Sequence, residues 1–335
     1  MEILKKSLVI MLMSALAVAC SSKKETQGQK EEKASFRTVG TIERLDPILD
    51  EIISPTAKIE VLAEGLGWSE GPVWLKEQKK LLFTDVGHKK IYSWTEEDSI
   101  QVYMDMVDPK DSTDRLGPSA LLIDKNQNLI ILRYGHGEAV KMNASITAPA
   151  FDFHTIARSF DGKPFNHTND ATFHSNGDMY MSDPPPPEMS DERLGPGFYR
   201  INPEGEVNLI TDTIPSPNGI AFSPDERTVY IANADYQHAF WVIADVDEEG
   251  NISNGRKFFD ATGRAPKEKG HPDGLKVNRN GIIFATGPGG VYILTPEGKH
   301  LGTILNDEFN TNCVLDDKEE VLYITSGPYL MRVIL

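Results

Sequence analysis

Glu70, Asn169, Asn218 and Asp273 each head a short apolar run, in the strings EGPVW, NDATF, NGIAF and DGLKV. Two carboxylates and two amide carbonyls offer a metal only oxygen, which suits a hard cation such as Ca²⁺ or Mg²⁺, and two negative charges balance a divalent ion. Each residue taken alone fits ordinary turn chemistry: PSPNG is a turn sequence, Asn169-Asp170 suits a loop cap, and Asp273-Gly274 is a common turn pair. Their recurrence argues for more. With Ser119 and Asn312 they mark six positions spaced by 49, 50, 49, 55 and 39 residues, and in each case an apolar run, a polar turn and a second apolar run follow.

That period and content are those of propeller blades, small sheets that cannot bury their faces alone. Third strands read KIYSW, EAVKM, GFYRI, AFWVI, GVYIL and LMRVI, and fourth strands IQVYMD, FHTIAR, EVNLIT, RKFFDA and HLGTIL. Six third strands against five fourth strands predict an all-β, six-bladed β-propeller closed by an N-terminal strand, KIEVLAEG at residues 58–65. If the six marked residues begin the innermost strands, they share one end of the axis with the loops that follow the second strands. His88, His136, His167 and His271 fall on loops at that end, as does Asp183, which opens a proline-filled loop over 183–197 of the length expected for a lid. His136, His167, His271 and Asp183 are therefore candidate substrate contacts. Ser119 and Asn312 suit supporting hydrogen bonds.

A net charge of −16 over 335 residues excludes the basic stripe a nucleic-acid partner would need. Lys5 and Lys6 precede an apolar run over 8–19, too short to span a bilayer and shaped like a secretory signal, which ends at Ala17-Val18-Ala19-Cys20. Residues 1–19 are read as a signal peptide, Cys20 as the acylated first residue of a mature bacterial lipoprotein, 20–45 as a flexible tether and 46–335 as the propeller. Location at the cell envelope, membrane attachment through Cys20 and a monomeric state follow as expectations. Cys313, at the head of an apolar strand, reads as a core thiol.

The strings SEGPVW, NHTNDATFHSNGDMYMSDPP, PSPNGIAFSPDERTVYIAN, HPDGLKVNRNG and GPGGVYILTPEG, in this order, resemble the gluconolactonase branch of the family that also holds regucalcin and luciferin-regenerating enzyme. The resemblance runs from about residue 64 to the C-terminus. It implies a six-bladed propeller with a divalent metal in the axial channel, Ca²⁺ first, with Zn²⁺, Mg²⁺ or Mn²⁺ as other choices. The family's ligands map onto Glu70, Asn169, Asn218 and Asp273, and its catalytic aspartate onto Asp273. The implied activity is metal-assisted opening of a small-molecule lactone, the cation polarising the carbonyl and Asp273 activating water. Two departures lie where a sugar acid would be gripped: YGHGEAV replaces an HGNRR-like string, and His167 stands where regucalcin-like chains carry Arg. Phosphotriester or other ester hydrolysis on the same cage, and a non-catalytic lipid-anchored binding propeller, are the alternatives.

Overall fold

A computed structural model describes residues 36–108, 110, 113–186 and 194–335. Six antiparallel meanders follow one another along the chain, each with its first strand innermost. The inner strands are Ser69–Leu75, Leu121–Ile123, Ala171–Phe173, Pro217–Phe222, Leu275–Val277 and Asn310–Leu315. The predicted closure is present: Ile59–Glu64 pairs antiparallel with Tyr329–Ile334 and supplies the outer strand of the sixth blade. Arg332 binds that strand by donating from Nε to Glu60 at 2.7 Å, and its guanidinium lies 4.9 Å from the Phe36 ring centre.

Period-two alternation explains how blades adhere. Leu81 and Phe83 join the cluster between the sixth and first blades, whereas Leu82, between them in sequence, joins the cluster between the first and second. Among the described residues the buried hydrophobics form six clusters, one at each seam between neighbouring blades. Cys313 is part of the fifth–sixth seam, and burial pushes its thiol up to about 12, so it packs as a neutral core group.

One expected boundary is corrected. The tether expected over 20–45 does not extend to residue 45: Arg37–Val39 pairs with the closing strand and Thr41–Arg44 pairs with His300–Leu305, adding fifth strands to the sixth and fifth blades. Gly40 links the two with φ +62°, and a Cβ there would lie 1.9 Å from Leu305 O. The polar run before it hid these strands because edge strands bury few side chains; their hydrogen bonds are to backbone. The signal segment, Cys20 and the tether up to residue 35 lie outside the described residues, as do 187–193 of the proline-filled loop.

Close to the axis, hydroxyls tie blade to blade. Thr84 Oγ1 donates to Ser119 O at 2.6 Å, Ser119 Oγ to Asn169 O at 2.6 Å, and Thr311 Oγ1 to Ser69 O at 2.7 Å. Ser119 is thus a structural tie. A second device orders the loops leading into the inner strands. Asp85 accepts N–H bonds from Gly67 (2.9 Å) and Trp68 (3.0 Å), Asp183 from Asn166 (3.0 Å) and His167 (2.7 Å), and Asn233 from Ser216 (2.9 Å). These bonds hold the loops that border the axial opening.

Candidate metal and catalytic site

Five of the six marked residues share one register, and Asn312 stands one residue further along its strand. Glu70 lies opposite Thr84, and Asn312 opposite Thr325. Asp170 is the counterpart of Asn312 in the third blade, since its carbonyl accepts the N–H of Ser182 at 3.0 Å. Asn169 and Asp273 stand one residue nearer the strand start, donating their N–H to Ser182 O at 3.0 Å and Thr286 O at 3.2 Å. The inner strands bulge at Glu70–Val73, Pro217–Ile220 and Asn310–Asn312. Bulges re-aim side chains, so the neighbouring positions occupied by Asp170 and Asn312 face a second level of the axis.

At the upper level, Asn169, Asn218 and Asp273 line one cavity of about 470 Å³. Trp68, Tyr134, Tyr236, His271 and Phe309 wall it. Trp68 and Tyr134 meet edge to face at 5.8 Å, and His271 stands edge-on between Tyr236 (4.5 Å) and Phe309 (4.7 Å). Burial lowers the His271 pKa to about 4, which keeps the ring neutral, with Nε2 3.6 Å from Asp273 Oδ2. Burial, reinforced by the charges of Asp273 and Glu70, raises Tyr134 to about 12, so its hydroxyl remains a donor.

At the lower level, Asn312 Nδ2 donates to Asp170 Oδ2 at 3.2 Å and to Glu70 Oε2 at 3.4 Å, while Gly71 N–H donates to Glu70 Oε2 at 2.6 Å. Gly274 makes room for this bridge: a Cβ there would fall 2.0 Å from Asn312 Cγ. Gly274→Ala is therefore expected to displace Asn312 and cost about 2 kcal/mol, as overpacking does, read as a lower melting temperature. An unchanged melting temperature would show the Asn312 bridge to be dispensable.

The two levels share one electrostatic field. Burial pushes Glu70 up to about 7, with Asp170 adding to the rise, and pushes Asp273 well above the usual carboxylate range, with Glu70 and Asp170 reinforcing it. Asp170 is raised by burial and held down chiefly by the Lys276 ammonium. Asp273 Oδ1 and Asn218 Oδ1 are buried without a hydrogen-bond partner, although each lines the upper cavity. An orphaned buried acceptor is costly, and a hard cation satisfies two at once. Among the described residues no three His, Cys, Asp or Glu side chains gather closely enough to hold a metal by themselves. The amide oxygens are needed, and the donor set fits a hard divalent ion.

Other expected contacts do not reach the cavity. Asp183 spends its carboxylate on the 166–167 loop, where it accepts from the Asn166 and His167 backbone; as the partner of that loop it is corrected from substrate contact to scaffold. His167 stacks on Tyr134 at 4.5 Å and supports that wall from outside the lining. His136 meets Arg133, Nε2 to Nη2 at 3.0 Å, in the turn Tyr134–His136 and likewise does not line the cavity. His271 is the expected histidine that does. Asp170, Trp68, Tyr236 and Lys276 were missed, although Asp170 lay beside Asn169 and Trp68 two residues before Glu70. A larger groove of about 630 Å³ opens at the opposite end between the second and third blades, among the turns carrying Asp124, Lys125 and Asn202. It holds none of the axial carboxylates.

Residues 68–328 match the family described as the SMP-30/Gluconolactonase/LRE-like region. The chain belongs to that family. It is 30% identical over 316 residues to a gluconolactonase of Zymomonas mobilis, covering 88% of this chain and 86% of that protein. A regucalcin of Xenopus laevis is 26% identical over 81% of this chain and 87% of its own length. Among solved structures, a gluconolactonase from Xanthomonas campestris superposes with a TM-score of 0.76 at 24% identity, covering 91% of this chain and 99% of that one. A calcium-binding regucalcin from Agrobacterium tumefaciens gives 0.63 at 17% identity, covering 82% and 92%. These structural likenesses show the shared fold.

Proposed function

We propose that this protein is a divalent-metal-dependent hydrolase that opens a sugar lactone. The observation that carries it is the pair of orphaned buried oxygens, Asp273 Oδ1 and Asn218 Oδ1, at a cavity walled by aromatic and imidazole groups. Membership of a family with gluconolactonases supports the substrate class. Glu70, Asn218 and Asp273 would hold the ion, with Asn169 beside them, and Ca²⁺ suits their oxygens. When bound, the ion supplies Lewis-acid polarisation of the lactone carbonyl and offsets the negative charge of the tetrahedral intermediate.

The rest of the chemistry falls to the chain. Asp273 accepts the proton of the attacking water, its carboxylate lining the cavity beside His271 Nε2. Neutral His271 presents Nε2 beside that carboxylate and is available to a substrate hydroxyl or ring oxygen. Tyr134 offers a hydroxyl donor, and Trp68 and Tyr236 present faces on which a compact ring packs while water is displaced. Aldono- and uronolactones incubated with chelator-stripped protein, with and without added Ca²⁺, test the reading. Ring opening that appears only with metal is expected; metal-independent turnover, or hydrolysis of phosphotriesters but not lactones, would overturn it.

The same reading takes residues 1–19 as a cleaved signal and Cys20 as the lipid-bearing residue of an envelope lipoprotein, supported by the shape of the segment and the AVAC string. Cys20→Ala is expected to move the protein from the membrane to the soluble fraction, as followed by detergent partitioning. Unchanged partitioning would reject the anchor.

A further inference from the structure

Below the metal-binding level the axis carries a positive charge of its own. Lys276 sits on the inner strand of the fifth blade, three residues after Asp273, and lines the lower channel with Asp170 and Asn312. Its Nζ donates to Leu275 O at 3.1 Å and approaches Asn312 Oδ1 at 3.5 Å, while Asn312 Nδ2 bonds both Asp170 and Glu70. Asp170 is 3% exposed and Glu70 3%, so neither charge is relieved by solvent. Asp170 and Lys276 thus share a buried channel, with Glu70 joined to it through Asn312 and Asp273 in the cavity above.

From this placement we infer that Lys276 is a built-in counter-ion to Asp170 across the Asn312 amide, so that the cage presents the two net charges of Glu70 and Asp273 and prefers divalent to trivalent cations. Lys276 is a positioning residue by charge; it neither holds the ion nor reaches the upper cavity. The physical ground is Coulombic. In a poorly solvated channel a unit charge a few ångströms from the ion changes its binding strongly, and changes it more for a trivalent ion than for a divalent one. Asp170 and Lys276 cancel at the cage only as a pair. Loss of the lysine leaves one carboxylate too many for Ca²⁺, and loss of the aspartate leaves an uncompensated ammonium beside the site.

The inference rests on the metal-dependent reading above, and its test separates the two. Chelator-stripped full-length protein is titrated calorimetrically with CaCl₂ and with LaCl₃ at about pH 8, for wild type, Lys276→Met, Lys276→Arg, Asp170→Asn and the double variant K276M/D170N. The ratio of La³⁺ to Ca²⁺ affinity is the readout, since a general loosening of the site would weaken both ions together. Lys276→Met is expected to raise that ratio by roughly tenfold and Asp170→Asn to lower it comparably. Lys276→Arg and the double variant are expected to stay within about threefold of wild type, because charge balance is kept in the first and restored in the second. A ratio unchanged in Lys276→Met overturns the inference, as does a double variant that behaves like Asp170→Asn, which would make Asp170 a ligand. Wild-type protein that binds neither ion would overturn the metal reading and this one with it.

Discussion

Asp273→Asn is expected to leave a folded propeller whose lactone turnover is lower by about 10²–10⁴-fold, the usual cost of losing a general base. The substitution is nearly isosteric, so the backbone bonds around position 273, N–H to Thr286 O at 3.2 Å and Gly274 N–H to Thr311 O at 2.7 Å, are retained. What disappears is the proton acceptor and one of the charges on which a divalent ion depends. Measuring kcat at saturating Ca²⁺, beside calorimetric Ca²⁺ affinity, separates the two losses. A variant that binds Ca²⁺ like the wild type but turns over slowly marks Asp273 as the base. Retention of wild-type kcat with the metal bound would remove Asp273 from the mechanism.

Glu70→Gln should produce the opposite effect on stability from its effect on binding. Burial first, and then the Asp170 charge, push the Glu70 carboxyl from 4.5 to about 7 in the folded protein. Between those values the metal-free folded state keeps a proton that the unfolded chain has already released. The folded state then binds more protons, so stability is fully present at the acid end of the window and is lost as pH rises through it. By about pH 8 the loss amounts to roughly 3 kcal/mol. Glutamine keeps the shape and never ionises. Metal-free Glu70→Gln is therefore expected to melt about 5 °C above metal-free wild type near pH 8, and level with it near pH 5. Added Ca²⁺ should reverse the order near pH 8, because wild type gains the stabilisation of a bound ligand and the variant largely does not. Equal melting of the two stripped proteins near pH 8 would show that the carboxyl is not held protonated by its surroundings.

Asp273 and Glu70 belong to one compromise. The axial carboxylates are poorly placed for folding alone, buried and mutually repulsive, and their retention is intelligible if a cation repays the cost. Gly274 and Asn312 belong to that compromise too, since the glycine exists to let the amide bridge Glu70 and Asp170.

Blade number, strand sequence and the closing role of Ile59–Glu64 were legible in the chain, because each blade repeats a local pattern: period-two apolar strands divided by polar turns. The polar residues heading the inner strands were legible for the same reason, and Asn169, Asn218 and Asp273 do line one cavity. The strands at 37–44 were not, since backbone pairing at an edge leaves little side-chain signature. Nor were the roles of Asp183 and His167. A loop residue's distance from the axis depends on how its loop folds, and the Asp183 carboxylate turns to the backbone of 166–167.

Repeat spacing and residue type therefore carried the architecture and the kind of axial donor, carboxylate and amide oxygens with excess negative charge. Tertiary structure alone decided which donors stand at which depth. Ring closure brings Asn312 between the Glu70 and Asp170 carboxylates, and Lys276 lines the channel beside that bridge. Side chains on strands alternate with a period of two, so a shift of one residue changes which level a group joins, and the sequence spacings of about fifty residues do not resolve a shift of one.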